Sequence, residues 1–178
     1  IRPSRRPSPD RLTWPDPMTR QTRRRTTRMA STFRSGARVF ASPAAAKVLA
    51  TGRDAREDPQ FGMHPPMRPV PQVSIIREGQ KVRYNRDGLV LTPLFTPGHT
   101  PGSTCFATGG FLFSGDTLFP GGPGNTEGDP ARFARVMDHL ETRLFALPDE
   151  VRVCPGHGLD TFIGRERQYL PVWRERGW

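Results

Sequence analysis

Three side chains in this 178-residue sequence stand where chemistry is done: His99, Asp116 and His157. Each follows a run of strand-forming residues and sits in a glycine-bearing loop, in PGHT, SGDT and PGHG. Loops at strand ends are where a sheet presents side chains into a common cleft. Glycine there lets the backbone turn sharply and lets a metal or substrate approach closely. Two imidazoles and a carboxylate are donors suited to a borderline cation such as zinc. Three unrelated loop residues would give the same pattern, because Gly-Asp and Gly-His pairs are common in turns.

The elements that must position them alternate between strand and helix. ARVFAS, from Ala37, reads as a short strand, and Ser42-Pro43 caps a helix, AAAKVLATG, that Gly52 closes. Residues 53–72 form a proline-punctuated loop. Strands follow at Val73–Ile76 and Lys81–Tyr84, with a turn at Asn85–Gly88. Gly88–Phe95 is a strand that runs into the His99 loop. Thr104–Thr108 and Phe111–Ser114 flank Gly109-Gly110 as a hairpin ending in Gly115-Asp116. Asp129 and Pro130 start a helix whose Phe133, Val136, Met137, Leu140 and Leu144 recur on one face. Val151–Cys154 is a strand that ends in the His157 loop, and a helix over about Gly164 to Arg174 closes the order. Cys105 and Cys154, in apolar strand-like runs, read as buried free thiols.

Charge divides the chain. Residues 1–38 hold 11 Arg against two Asp, whereas the other 140 residues are nearly balanced, so the net +10 sits at one end. Residues 1–36 lack periodicity and core-forming side chains, and read as a disordered Arg/Pro-rich segment. Translation of GC-rich DNA out of frame would generate such a segment; a basic arm that neutralises nucleic-acid phosphates would also look like this. The sequence begins with Ile1, as a fragment would. No apolar run approaches the ~20 residues of a membrane span. The basic opening is not followed by the apolar core of a signal peptide. The expectation is a cytoplasmic chain with a small-molecule substrate, no membrane partner, and no nucleic-acid partner for the domain itself.

FTPGHTPGSTCF, FLFSGDTLFPGGPG and VRVCPGHGLDTFIGRER resemble three successive signatures of the metallo-β-lactamase superfamily, in its glyoxalase-II-like branch. They stand in that family's order, with the candidate ligands 17 and then 41 residues apart. The resemblance covers residues 37–178 and implies an α/β fold, an αββα sandwich, here with its N-terminal part incomplete. It implies that His99, Asp116 and His157 bind metal, usually two zinc ions per site and in some relatives iron. Asp116, bridging both metals, would be the catalytic carboxylate. The implied reaction is hydrolysis of an ester, thioester or lactone-type bond by a metal-held hydroxide. An iron-dependent sulfur dioxygenase of the same fold is a second implied activity. A non-catalytic fragment, or a basic-tailed nucleic-acid-binding module, is the non-enzymatic alternative.

The departure from the family pattern matters as much. Its His-x-His-x-Asp-His signature should precede ARVFAS, yet the only histidines are His64, His99, His139 and His157. The chain therefore keeps three of about seven implied ligands, which predicts impaired catalysis. Only 21 residues follow His157, too few for the helical domain with which glyoxalase II enzymes grip glutathione. His64, in GMHPP, reads as an exposed loop residue, and His139 as a boundary residue of the 130–145 helix. The PGGPG run at 120–124 either shapes a substrate mouth beside Asp116 or forms a turn. Tyr169 and Trp173 read as core or edge packing. No substrate-binding residue is identifiable.

Overall fold

The computed structural model describes residues 38–83 and 88–177. The expectations for residues 1–36, and for most of the turn at Asn85–Gly88, lie outside them. The chain runs β1 (Val39–Ala41), α1 (Pro43–Thr51), β2 (Val73–Ile75), β3 (Val82–Arg83), β4 (Val90–Phe95), β5 (Thr104–Thr108) and β6 (Phe111–Gly115). It continues through β7 (Leu118–Phe119), β8 (Gly122–Pro123), α2 (Pro130–His139), β9 (Arg152–Pro155), β10 (Thr161–Phe162), α3 (Ile163–Arg167) and α4 (Leu170–Arg176). The main sheet has the order β10-β9-β6-β5-β4-β3, while β1 and β2 pair in parallel as a second, two-stranded sheet. Within the main sheet only β6 and β9 are parallel.

Local chemistry explains the elements. The Ser42 hydroxyl accepts from the Ala45 amide, Pro43 opens α1, and Gly52, at φ 68°, ends it in a left-handed conformation. Gly109 and Gly110 both have positive φ, 43° and 86°, as the tight turn between β5 and β6 demands. The Asp129 carboxylate accepts from the Ala131 and Arg132 amides at 2.9 and 3.0 Å, capping α2. Val136 and Met137 on α2 are fully buried. A π-helical turn over Leu140–Leu144 then widens the spiral, with the Phe145 amide bonded to the Leu140 carbonyl. Leu140 and Leu144 both stay in the core as a result.

The core lies between the main sheet and these helices: Cys105, Leu112 and Val153 from strands meet Val136, Met137, Leu140, Leu144, Ile163 and Trp173. The strand alternation is legible in β6, where Leu112 and Ser114 are buried while Phe111 and Phe113 are exposed. Three expectations need adjustment. The last helix is two, because Pro171 has no amide hydrogen and the helix restarts at Leu170. Strand β10 was not visible in the sequence; two residues are too few to show alternation. Cys154 is only half buried, whereas Cys105 is fully buried. Among the described residues no helix is long and apolar enough to cross a membrane.

Candidate metal centre

The loop between β4 and β5 carries His99. Its neck is closed by the Thr96 amide bonding the Ser103 carbonyl at 2.9 Å, and inside it Gly98 bonds the Thr100 carbonyl. Arg132 of α2 then grips the loop from outside. Its Nε donates to the Gly98 carbonyl at 2.9 Å and its Nη2 to the His99 carbonyl at 2.7 Å. Close packing is needed for that grip: a Cβ on Gly98 would lie 2.2 Å from Val136 Cγ2.

Asp116 and His157 reach the same place by a different route. Because β6 and β9 are parallel neighbours, both strands deliver the residues after them to one edge of the sheet. The Gly156 amide bonds the Gly115 carbonyl at 2.7 Å, extending the pairing to the site itself. Gly156 also leaves room for the carboxylate, since a Cβ there would lie 2.1 Å from Asp116 Oδ1. Buried hydroxyls of Thr96 and Thr117, 2.9 Å apart, tie the base of the His99 loop to the turn that follows Asp116.

The three residues singled out in the sequence therefore converge. His99 Nε2 stands 3.9 Å from Asp116 Oδ2, and His157 Nε2 stands 3.8 Å from the same oxygen. Their side chains grade from enclosed to open, 17% exposed for His99, 38% for Asp116 and 60% for His157. The Phe119 ring packs 4.7 Å from the His157 ring, the one aromatic neighbour limiting its rotation among the described residues. His99 Nδ1 lies 2.7 Å from the Asn125 carbonyl. A carbonyl only accepts, so Nδ1 carries the proton and, in the neutral ring, Nε2 carries the lone pair.

That lone pair, a carboxylate oxygen and a second imidazole are donors of the type that a borderline cation takes. They do not fill a two-metal site, for among the described residues no further imidazole or carboxylate joins them. As the side chains stand, among the described residues no group of three or more His, Cys, Asp or Glu is drawn close enough together to hold a metal ion. His64 is exposed in its loop, away from this cluster's contacts. His139 is half buried on α2, with Nε2 buried and unbonded.

PGGPG is the β7–β8 turn, and it does pack on the site: a Cβ on Gly124 would lie 1.8 Å from the Asp116 carbonyl oxygen. Buried Glu166 of α3 pins this turn, accepting from the Gly121 amide at 2.9 Å and the Thr161 hydroxyl at 2.6 Å. Asn125, Arg132 and Glu166 were not anticipated as supports, nor was Gln60, whose side-chain nitrogen lies 3.1 Å from His99 Nε2, as a neighbour of the site. Nothing in their local sequence marks them, since each acts across 26 to 45 residues except Glu166 on Thr161.

The profile of the Metallo-beta-lactamase superfamily matches residues 29–157. A hydroxyacylglutathione hydrolase of Thiobacillus denitrificans is 42% identical over 90 residues, 49% of this chain and 34% of that protein. A probable polyketide biosynthesis zinc-dependent hydrolase, BaeB of Bacillus velezensis, is 38% identical over 84 residues, 47% of this chain and 37% of that protein. Among solved structures, a di-iron-bound form of TTHA1623 superposes with a TM-score of 0.59 at 26% identity. The match covers 80% of this chain and 69% of that one. The chain spans between about a third and three-fifths of the length of the first curated relatives it matches.

Proposed function

Because the chain belongs to the metallo-beta-lactamase superfamily, we propose that its converging donors are one half of a metal-dependent hydrolytic site. Residues 37–178 form the C-terminal portion of that fold, and the site acts on an ester, thioester or lactone-type bond. The chain as it stands is an impaired catalyst, because four of about seven ligands are missing from it. The superfamily includes hydrolases and its members bind zinc or iron. The observation that carries the reading is the approach of two Nε2 atoms to one oxygen of Asp116.

His99, Asp116 and His157 would hold the cation. Zinc in such a site supplies Lewis acidity that polarises a carbonyl and brings the acidity of water near neutral pH. The chain's own residues do the positioning. Asn125 fixes the tautomer of His99 so that Nε2 faces the site. Arg132 holds the backbone that carries His99, and Gly156 keeps the Asp116 carboxylate unobstructed. Asp116, the acceptor nearest both imidazoles, offsets the charge of whatever cation they hold. The di-iron relative makes iron the second candidate ion, and an iron-dependent sulfur dioxygenase of the same fold is the second reading.

Metal analysis of the purified chain, beside a version with a restored His-x-His-x-Asp-His segment, tests this. The chain should take up at most one zinc or iron, and the restored version two. Two equivalents in the unmodified chain would show that the site is not short of ligands. A restored, metal-loaded version inert toward ester, thioester and lactone substrates would remove the hydrolase reading. Oxygen consumption with a persulfide by the iron-loaded form would favour the second.

A further inference from the structure

The side-chain amide nitrogen of Gln60 lies 3.1 Å from His99 Nε2. Since Nδ1 donates to the Asn125 carbonyl, Nε2 of the neutral ring can only accept, and an amide nitrogen can only donate. The contact is therefore an N–H donated into the one lone pair that a cation needs from His99. The approach is narrow, because the ring is mostly enclosed and its remaining near neighbour on that nitrogen is Asp116.

The backbone that carries Gln60 is also held in place, leaving the side chain as the part that can turn. The Asp58 carboxylate accepts from the Gln60 amide at 2.9 Å, and the Asp58 carbonyl accepts from the Phe61 amide at 2.9 Å. The Gln60 carbonyl in turn accepts from Met63 at 3.0 Å. Successive turns thus present one amide side chain to one imidazole across 39 residues of sequence. The same residue lines, with Thr100 and Pro101 of the His99 loop, a cavity of about 440 Å³ between α1, β1 and β5.

We propose that Gln60 is a gate on His99, a positioning residue whose amide competes with the cation for Nε2. The proposal rests on His99 being a metal ligand. A cation engages His99 only when the Gln60 side chain turns into the adjoining cavity, which has room for it. The gate makes metal uptake weaker than the donors alone would give.

The test is zinc titration of the full chain against a competing chelator, with Gln60→Ala and Gln60→Asn. Both remove the contact, the second while keeping an amide one methylene shorter. Each should bind zinc about three- to tenfold more tightly than the parent, the equivalent of one net hydrogen bond. Long-range 15N–1H spectra of the zinc-free chain give an independent readout. The His99 Nε2 resonance should move toward that of an unbonded imidazole nitrogen in both variants, with His157 unchanged. Equal or weaker zinc binding by the variants overturns the gate, the weaker case making Gln60 a ligand. An unmoved His99 resonance overturns it as well. No zinc uptake by any of the three chains removes the metal reading of the site, and the gate with it.

Discussion

Replacing Arg132 with alanine is the sharpest way to ask whether the His99 loop is held as described. The guanidinium is 13% exposed and donates two short bonds to successive carbonyls, those of Gly98 and His99. Its contact with Glu127, at 3.5 Å, is longer and contributes little beyond them. A hydrogen bond from a charged donor contributes about 1.5–3 kcal/mol net. The two are not independent, and water can reach part of the emptied space, so the expected loss is about 2–4 kcal/mol. For a domain of this size that lowers the thermal midpoint by about 5–15 °C. Arg132→Lys keeps the charge but cannot fork across both carbonyls, and should fall between. Urea and thermal unfolding read the stability, and zinc titration reads the site, which should weaken together with it. A change below about 0.5 kcal/mol, with zinc uptake unaltered, would mean the loop holds itself and Arg132 is a bystander.

Gly156→Ala should abolish zinc uptake while moving the unfolding midpoint less than Arg132→Ala does, because its Cβ would strike Asp116 Oδ1 and not the core. Burial, reinforced by Arg143 and Arg135 and opposed by Asp138 and Glu78, lowers the pKa of His139 below the usual imidazole value. Its contribution is therefore full above about pH 6.5 and lost as pH falls through the lowered folded value. Urea midpoints between pH 7 and 5 should drop more for the parent than for His139→Gln. Burial also raises the thiol pKa of Cys105, against the Thr96 and Thr117 hydroxyls, and of Cys154, where Asp160 adds to it. Alkylation at pH 8 should thus be slow at both, with Cys154 modified first and Cys105 only on unfolding. If the basic segment binds nucleic acid, salt-dependent DNA retention will vanish on deleting residues 1–34 and persist in His99→Ala.

The parts of the site that lie directly after strands were legible, because strand, glycine and donor are contiguous in sequence. Asp116 follows β6 and His157 follows β9, and the alternation in those strands announces where they stop. Helix α2 was legible for the same reason, its cap and apolar spacing both being local. What holds the donors is not local. Arg132 reaches His99 from the first turn of a helix 33 residues away, and Gln60 reaches it from a loop without periodicity. The break between α3 and α4 could have been read from Pro171, which removes an amide from the ladder. Glu166 could not, because a glutamate on a short helix usually faces water.

The two routes by which the donors arrive have unequal standing when the protein breathes. Asp116 and His157 hang on paired strands whose backbone bonds run up to Gly156, the residue beside His157. His99 lies three residues beyond the last backbone bond of the β4–β5 pair, Thr96 to Ser103, and is held from there by side chains from α2 and two loops. Local opening should therefore detach the His99 arm at much lower free energy than it separates β6 from β9. Native-state hydrogen exchange would show it as a stepped profile. The Gly156 amide, bonded to Gly115, should exchange near the global rate, and the Gly98 and Thr100 amides well before it. A cation bound across the site would then act as a clasp, lifting protection in the His99 loop and leaving that of Gly156 almost unchanged.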